Sequence, residues 1–278
     1  MAELGFPRRI LWGERAGEAI AGLLNVWGVK RVLIVSDGVI VNLPHVREII
    51  DSLSSSYEVR VFSDVPPEPP VSVAEKASAL ARDVDAVIAI GGGSVIDVAK
   101  AASVLAKRPG LSVSDVAPFN PLGVEFEKPY LIAVPTTSGT GSDASYGIVL
   151  VGEGPGGERV KIAVGSFEVV PHASVLDPDL PRSAPERVRV GALVDALSHA
   201  LESIASTASN PFSEALAEKA AALIFTTAPR ALREGEGWDL LHAAATMAGM
   251  AFTNSGLGLA HAIAPVSYTH LRAHGRTP

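Results

Sequence analysis

Residues 86–100 read AVIAIGGGSVIDVAK, five apolar residues running straight into three glycines and then into a helical pattern. An apolar run of this kind fits a strand buried on both faces, and strands of that type occur in parallel sheets covered by helices. Three further runs have the same character: RVLIVS at 31–36, EVRVF at 58–62 and YLIAV at 130–134. Between them the apolar spacing turns helical, at 14–27, 45–53, 72–82 and 97–106. The proline-laden VPPEPP at 65–70 fits only a loop. Strands alternating with helices predict βαβ units, so residues 1–180 are expected to form an α/β, Rossmann-like domain with a parallel sheet.

Beyond Asp177-Pro178-Asp179-Leu180-Pro181 the composition changes. Ala and Leu dominate from Ala184 to Ala264, and β-branched clusters disappear. Helices are expected, with breaks at Asn210-Pro211, at Pro229 and at Gly256-Leu257-Gly258. The second unit, 181–264, is therefore predicted to be all-helical, and residues 265–278 stand apart as a tail.

The chain's 278 residues suffice for about two domains of ordinary size. A net charge of −7 disfavours general nucleic-acid binding, which needs clustered Lys and Arg. With no cysteine, disulfides, thiolate metal sites and Cys nucleophiles are excluded. The N-terminus has no signal-peptide pattern and no run approaches the length of a membrane span, so a cytoplasmic protein without membrane association is expected.

The glycines end a strand and open a helix. Without Cβ atoms, the backbone admits close approach of a ligand, and amides at a helix N-terminus face an anion well. Candidate cofactor contacts here are Gly91, Gly92, Gly93, Ser94, Asp97 and Lys100, the lysine lying two turns inside the helix as a source of positive charge. A second polar loop, Pro135-Thr136-Thr137-Ser138-Gly139-Thr140-Gly141-Ser142-Asp143, also follows a strand directly. It adds Thr136, Thr137, Ser138, Thr140 and Ser142 as candidates, because ligands of open α/β sheets bind at the carboxyl ends of strands. Asp37, at the end of RVLIVS, fits two roles equally: a ribose-hydroxyl contact that repels a 2′-phosphate, or a turn cap.

In the helical half, Asp195 and His199 are four apart and share a helix face. Such a pair fits a hydrogen bond between side chains or, with His261, three O/N ligands for a divalent metal. His242 reads as a helix residue with a partner, and His45 and His172 as surface or cap positions.

GGGSVIDVAK, PTTSGTGSD, DPDLP, VDALSHALES and GLGLAHAIA occur in an order and at spacings that resemble the iron-containing (group III) alcohol dehydrogenases. The resemblance runs from about residue 7 to residue 264. It implies a dinucleotide-binding α/β domain, a helical domain of dehydroquinate synthase-like architecture, and an active site between them. It implies NAD or NADP on the glycine cradle and Thr-rich loop, and Fe²⁺ or Zn²⁺ held by Asp195, His199, His261 and a later His in a Pro-His-Gly motif. By the same resemblance Phe252 lines the alcohol pocket, the substrate is a small alcohol or aldehyde, and a homo-oligomer is expected. The implied reaction is hydride transfer between alcohol and nicotinamide, with the metal as Lewis acid. A polyol dehydrogenase, a related reductase and a non-catalytic nucleotide-binding fragment are the alternatives.

Two departures stand out. Asp143 replaces the family's Glu at the end of the Thr-rich loop. After Ala264 the family continues with a second His and further helices, whereas here Pro265 opens a tail that resembles a translated sequencing adaptor. The chain is thus expected to be C-terminally truncated, with His270 and His274 outside the site and an uncovered apolar face near 245–263.

Overall fold

A computed structural model describes residues 3–118, 120–258, 261 and 263; Ala264 and the tail at 265–278, with His270 and His274, lie outside the described residues. The α/β half runs β1 (Arg9–Trp12), α1 (Ala16–Val26), β2 (Arg31–Val35), α2 (Pro44–Ser54), β3 (Glu58–Phe62), α3 (Val71–Ala81), β4 (Ala86–Gly91), α4 (Gly93–Lys107) and β5 (Tyr130–Pro135). It continues through β6 (Gly147–Glu153), β7 (Arg159–Gly165), β8 (Ala173–Leu176) and the short α5 (Asp179–Arg182). The helices α6 (Glu186–Ala205), α7 (Pro211–Glu234) and α8 (Trp238–Ser255) follow.

Six strands form one parallel sheet in the order β1-β8-β5-β4-β2-β3. The predicted strands fall in it with boundaries shifted by no more than one residue. Side chains alternate across the sheet, as period-two strands require. Leu33, Val87, Ala89 and Leu131 pack under α3 and α4, whereas Ile34, Ile88, Ile90 and Ile132 pack under α1 and α2. Both faces of β4 are thus sealed, which accounts for its unbroken apolar run. Each such Ile contributes about 1.5–3 kcal/mol by burial, so β4 is a firm platform for the glycines at its end. The chain moves outward from β2 to β3, then returns to β4 on the other side of β2, with the covering helices changing faces. That reversal is the place where open α/β sheets bind ligands, and the ends of β2 and β4 flank it.

The three long helices pack on one another through small residues: Ala196, Ala200, Ala217, Ala220, Ala244 and Ala248 form the centre of their shared core. Asn210 caps α7 through the amides of Phe212 and Ser213, with Pro211 in the first turn, so this predicted break is a helix start.

The structure differs from the sequence reading at several points. Pro229 does not break the helices; it lies inside α7. The usual cost, about 3 kcal/mol, is offset by packing of neighbours such as Ile224 and Ala231. The antiparallel pair β6–β7 was not expected; its turn, Gly154-Pro155-Gly156-Gly157, joins two β-branched runs, and Ile148 and Leu150 anchor it on the α4 side of the sheet. His172 is buried rather than superficial, with Nδ1 accepting from the Leu131 amide at 3.0 Å and Nε2 donating to the Glu125 carbonyl at 2.9 Å. The α8 part of the expected apolar face, around Ala245, Ala248 and Ala251, is covered, whereas Ile263 at its far end is exposed; among the described residues an exposed apolar stripe also runs along α6, through Val190, Val194, Leu201 and Ile204.

Candidate active site

A cleft of about 1120 Å³ runs between the sheet and the helices. One end is lined by Gly93, Ser94, Asp97, Thr140 and Ser142, the other by Asp195, His199, Phe252 and His261. The β6–β7 pair forms a wall through residues such as Ile148 and Lys161.

At the sheet end, Gly91 closes β4, Gly92 is the N-cap of α4, and among the described residues no side chain caps that helix. Its first amides therefore present the positive end of the helix dipole to the cleft. The three glycines have different reasons to be glycine. A Cβ at Gly91 would stand 2.5 Å from the Val95 side chain, and one at Gly93 would stand 2.8 Å from Thr140. Gly92 has an ordinary φ of −76°, and its Cβ would reach no nearer than 3.8 Å, to Thr137. Nothing in the described protein requires a bare backbone at Gly92, where a Cβ would make only an ordinary contact with Thr137, and the missing side chain is compatible with close approach of a ligand's phosphate. This cradle is compatible with a dinucleotide.

Asp37 takes up the cap role: its Oδ1 accepts from the amides of Val39 and Ile40, both at 2.8 Å. The carboxylate nonetheless sits at the end of β2, beside the glycines across the switch point. Ser36 ties the two strand ends together by donating to the Ile90 carbonyl at 2.7 Å.

Lys100 departs from its expected role. It is fully buried behind residues that line the cleft, with Nζ donating to Ser142 Oγ at 3.0 Å, Ser145 Oγ at 3.3 Å and the Gly147 carbonyl at 2.9 Å. Burial lowers its pKa to about 8, against the pull of Asp97 and Asp143. All three donors are spent on Ser142 of the Thr-rich loop, on Ser145 and on the first residue of β6, so this lysine braces the loop and the β6–β7 wall from behind. Asp97 borders the cleft, but its two oxygens accept from Ser142 Oγ and the Val149 amide. Burial raises its pKa, opposed by Lys100 and both hydrogen bonds. Asp97 and Ser142 thus act together as part of the wall.

In the Thr-rich loop, the Thr136 amide donates to the Gly91 carbonyl, holding the two strand ends together. Thr137 lies over Gly92, and Thr140 lies over Gly93. Ser138 is buried against α8, 3.0 Å from His242 Nδ1. Asp143, the shortened carboxylate, accepts from Ser174 Oγ at 2.6 Å and Thr246 Oγ1 at 2.9 Å, so it links the sheet to α8.

At the helical end, Asp195 and His199 on α6 meet His261, and the candidate ligand atoms of all three lie within 4.8 Å of one another. Asp195 lies 3.9 Å from His199 Nδ1 and 3.6 Å from His261 Nε2. These separations are long for hydrogen bonds but suit ligands sharing one ion at about 2.0–2.2 Å each. His199 is held in a stack, 4.2 Å from the His261 ring and 4.7 Å from Phe252. Its Nδ1 is buried and has no hydrogen-bond partner among the described residues. Burial lowers the His199 pKa, opposed by the Asp195 carboxylate, so its neutral, ligating form is favoured. His261 shifts upward, chiefly through its interaction with Asp195. An orphaned imidazole nitrogen facing a carboxylate and a second imidazole is a donor set that fits Fe²⁺ or Zn²⁺.

Behind His261 stands a residue absent from the sequence reading: Glu202, whose Oε1 lies 2.6 Å from His261 Nδ1. The signal was present, since 195, 199 and 202 follow one stripe of a helix. The contribution of β6–β7 to the cleft had no comparable local signal.

Known proteins share this architecture. The family pattern for iron-containing alcohol dehydrogenase matches residues 7–178, and that for the family's C-terminal domain matches 189–277. The chain belongs to the iron-containing alcohol dehydrogenase family. Among curated relatives, a 1-propanol dehydrogenase of Citrobacter freundii is 32% identical over 95% of this chain and 67% of its own length. An alcohol dehydrogenase of Thermococcus barophilus is 40% identical over 74% of this chain and 55% of its own. A long-chain-alcohol dehydrogenase of Geobacillus thermodenitrificans is 37% identical over the whole chain and 71% of its own. The chain thus spans between 55% and 71% of the length of these three relatives.

The solved alcohol dehydrogenase of Oenococcus oeni superposes with a TM-score of 0.85 at 29% identity, over 95% of this chain and 69% of that one. The sulfoacetaldehyde reductase of Bifidobacterium kashiwanohense, solved in complex with NAD⁺, gives 0.84 at 27%, over 99% and 72%. The family's two-domain fold is therefore the fold of this chain, including the helical region after the sheet.

Proposed function

We propose that this member of the family is an alcohol dehydrogenase that exchanges a hydride between a small primary alcohol, or its aldehyde, and NAD. In this reading residues 1–180 carry the nucleotide and 181–264 the metal ligands. The observation that carries the reading is the continuity of the cleft, from the glycine cradle at α4 to the Asp195, His199 and His261 cluster. Gly92 and the α4 amides would receive the pyrophosphate, with Thr137 and Thr140 closing over it. Asp37 would accept from a ribose hydroxyl with the carboxylate edge that the turn leaves open. Asp195, His199 and His261 would hold Fe²⁺ or Zn²⁺, and Phe252 would give the substrate an apolar wall beside His199. When bound, these groups supply Lewis acidity at a substrate oxygen and a hydride acceptor. The protein's task is to orient the two sites across one cleft, where hydride transfer requires close contact.

The names of the relatives support alcohols as the substrate class, 1-propanol among them. The test is NADH formation at 340 nm from 1-propanol and NAD by the chain loaded with Fe²⁺ or Zn²⁺, with the metal-free chain and His199→Ala as controls. Turnover that needs the metal and vanishes in the variant supports the proposal. NAD binding without metal-dependent turnover points to a nucleotide-binding fragment instead.

A further inference from the structure

Asp195, His199 and Glu202 stand at positions i, i+4 and i+7 of α6, so all three face the same side of that helix. Two of them belong to the cluster whose ligand atoms converge; Glu202 reaches the opposite edge of the His261 ring. There Oε1 lies 2.6 Å from Nδ1, while Nε2 at the other edge lies 3.6 Å from Asp195 Oδ1. The ring is thus held between two carboxylates, one at hydrogen-bonding distance and one not.

We propose that Glu202 is a positioning residue for the metal centre: it holds a proton on His261 Nδ1 and turns the Nε2 lone pair toward Asp195 and His199. The proposal rests on the reading of Asp195, His199 and His261 as metal ligands. An imidazole that donates from Nδ1 offers its lone pair only at Nε2, so the carboxylate fixes both tautomer and ring direction. The Glu202 side chain is 15% exposed, which limits competition from water for this charge-assisted bond. Its other oxygen, Oε2, is buried without a hydrogen-bond partner among the described residues, so its bonding is concentrated on His261. The chain makes room for this arrangement at Gly258, where a Cβ would stand 2.9 Å from Oε2. The Gly256-Leu257-Gly258 segment can therefore pass over Glu202 and deliver His261 to α6.

The experiment uses the 278-residue chain and two readouts. Nitrogen-15 NMR of histidine-labelled, metal-free protein reports the His261 tautomer, and Co²⁺ titration followed by visible absorption reports the metal site. At a pH high enough to leave the ring neutral, His261 should be an Nδ1–H imidazole in the wild type and lose that preference in Glu202→Ala. The Ala variant should bind Co²⁺ about 10–100-fold more weakly, the range for partners behind a ligand. Glu202→Gln, whose amide oxygen still accepts, should lose less affinity and keep the wild-type cobalt spectrum. An unchanged tautomer and affinity in Glu202→Ala would overturn the proposal. Equal losses in both variants with an altered cobalt spectrum in Glu202→Gln would also overturn it, by making Glu202 a ligand. A wild-type chain that takes up no Co²⁺, or a His199→Ala variant that binds it as before, would remove the metal reading itself. Intact binding in the wild type and its loss in His199→Ala leave the Glu202 variants to judge Glu202 alone.

Discussion

Gly249 of α8 lies so close to Gly141 of the Thr-rich loop that a Cβ on Gly249 would stand 2.5 Å from the Gly141 carbonyl oxygen. Gly141 itself has φ +60°, a left-handed conformation that suits glycine. On the other side of the loop, Gly139 lies against Ala192 of α6, with an added Cβ 2.9 Å from the Ala192 backbone. The loop that closes over the cradle is therefore wedged between the two helices that frame the metal cluster. The Gly249→Ala variant should be destabilised by about 1–3 kcal/mol, the cost of overpacking a tight contact. It should also weaken NAD and metal binding together. Thermal melting and the two titrations check this; a change in one ligand alone would show the loop does not join the sites.

Gly92→Ala separates ligand effects from folding effects. The added methyl would meet Thr137 at 3.8 Å, an ordinary contact, at an ordinary φ. Stability should change by less than about 1 kcal/mol, the scale of a Gly/Ala exchange where the backbone conformation suits both. NAD affinity should fall at least about tenfold, since the methyl occupies the approach to the helix N-terminus. Gly91→Ala should do the reverse, losing stability first, because its Cβ would collide with Val95. Paired melting curves and NAD titrations decide.

Asp37 has two candidate duties, and Asp37→Ser divides them. A serine oxygen can still accept from the Val39 and Ile40 amides, so the cap should survive within about 1 kcal/mol. The negative charge that repels a 2′-phosphate goes. The wild type should favour NAD over NADP, and the variant should narrow that preference. Equal affinities for both cofactors in the wild type would refute the assignment.

Two buried histidines make the fold less stable in acid. Burial lowers the pKa values of His172 and His242 from 6.5 to about 4. The unfolded chain therefore takes up protons near pH 6.5 that the folded imidazoles refuse until about pH 4. Their contribution is fully present above pH 6.5 and is lost as the pH falls through that window, at most roughly 3 kcal/mol for each group. Chemical denaturation at pH 7, 5.5 and 4.5 should show the decline. His172→Gln should flatten it by about one proton's slope, although its hydrogen bonds to Leu131 and Glu125 are disturbed at every pH.

Much of this protein was written in local pattern. The strands around Val87 and Ile132 were legible because burial on both faces demands continuous apolar runs. The glycines after Ile90 announced a strand-to-helix turn, and the spacing of Asp195 and His199 on one helix face followed from 3.6 residues per turn. What the sequence could not determine depends on approaches between distant segments. Lys100 had the composition of a phosphate contact, but the direction of its ammonium group was decided when β6 brought Ser145 and the Gly147 carbonyl over α4. Pro229 carried a break signal that packing between α7 and its neighbours overrode. Glu202 lay on the right stripe of α6, yet its partner is 59 residues away and meets it only where Gly258 leaves room. Periodicity is a property of each segment alone, whereas the direction of a charged side chain depends on which neighbours remove it from water.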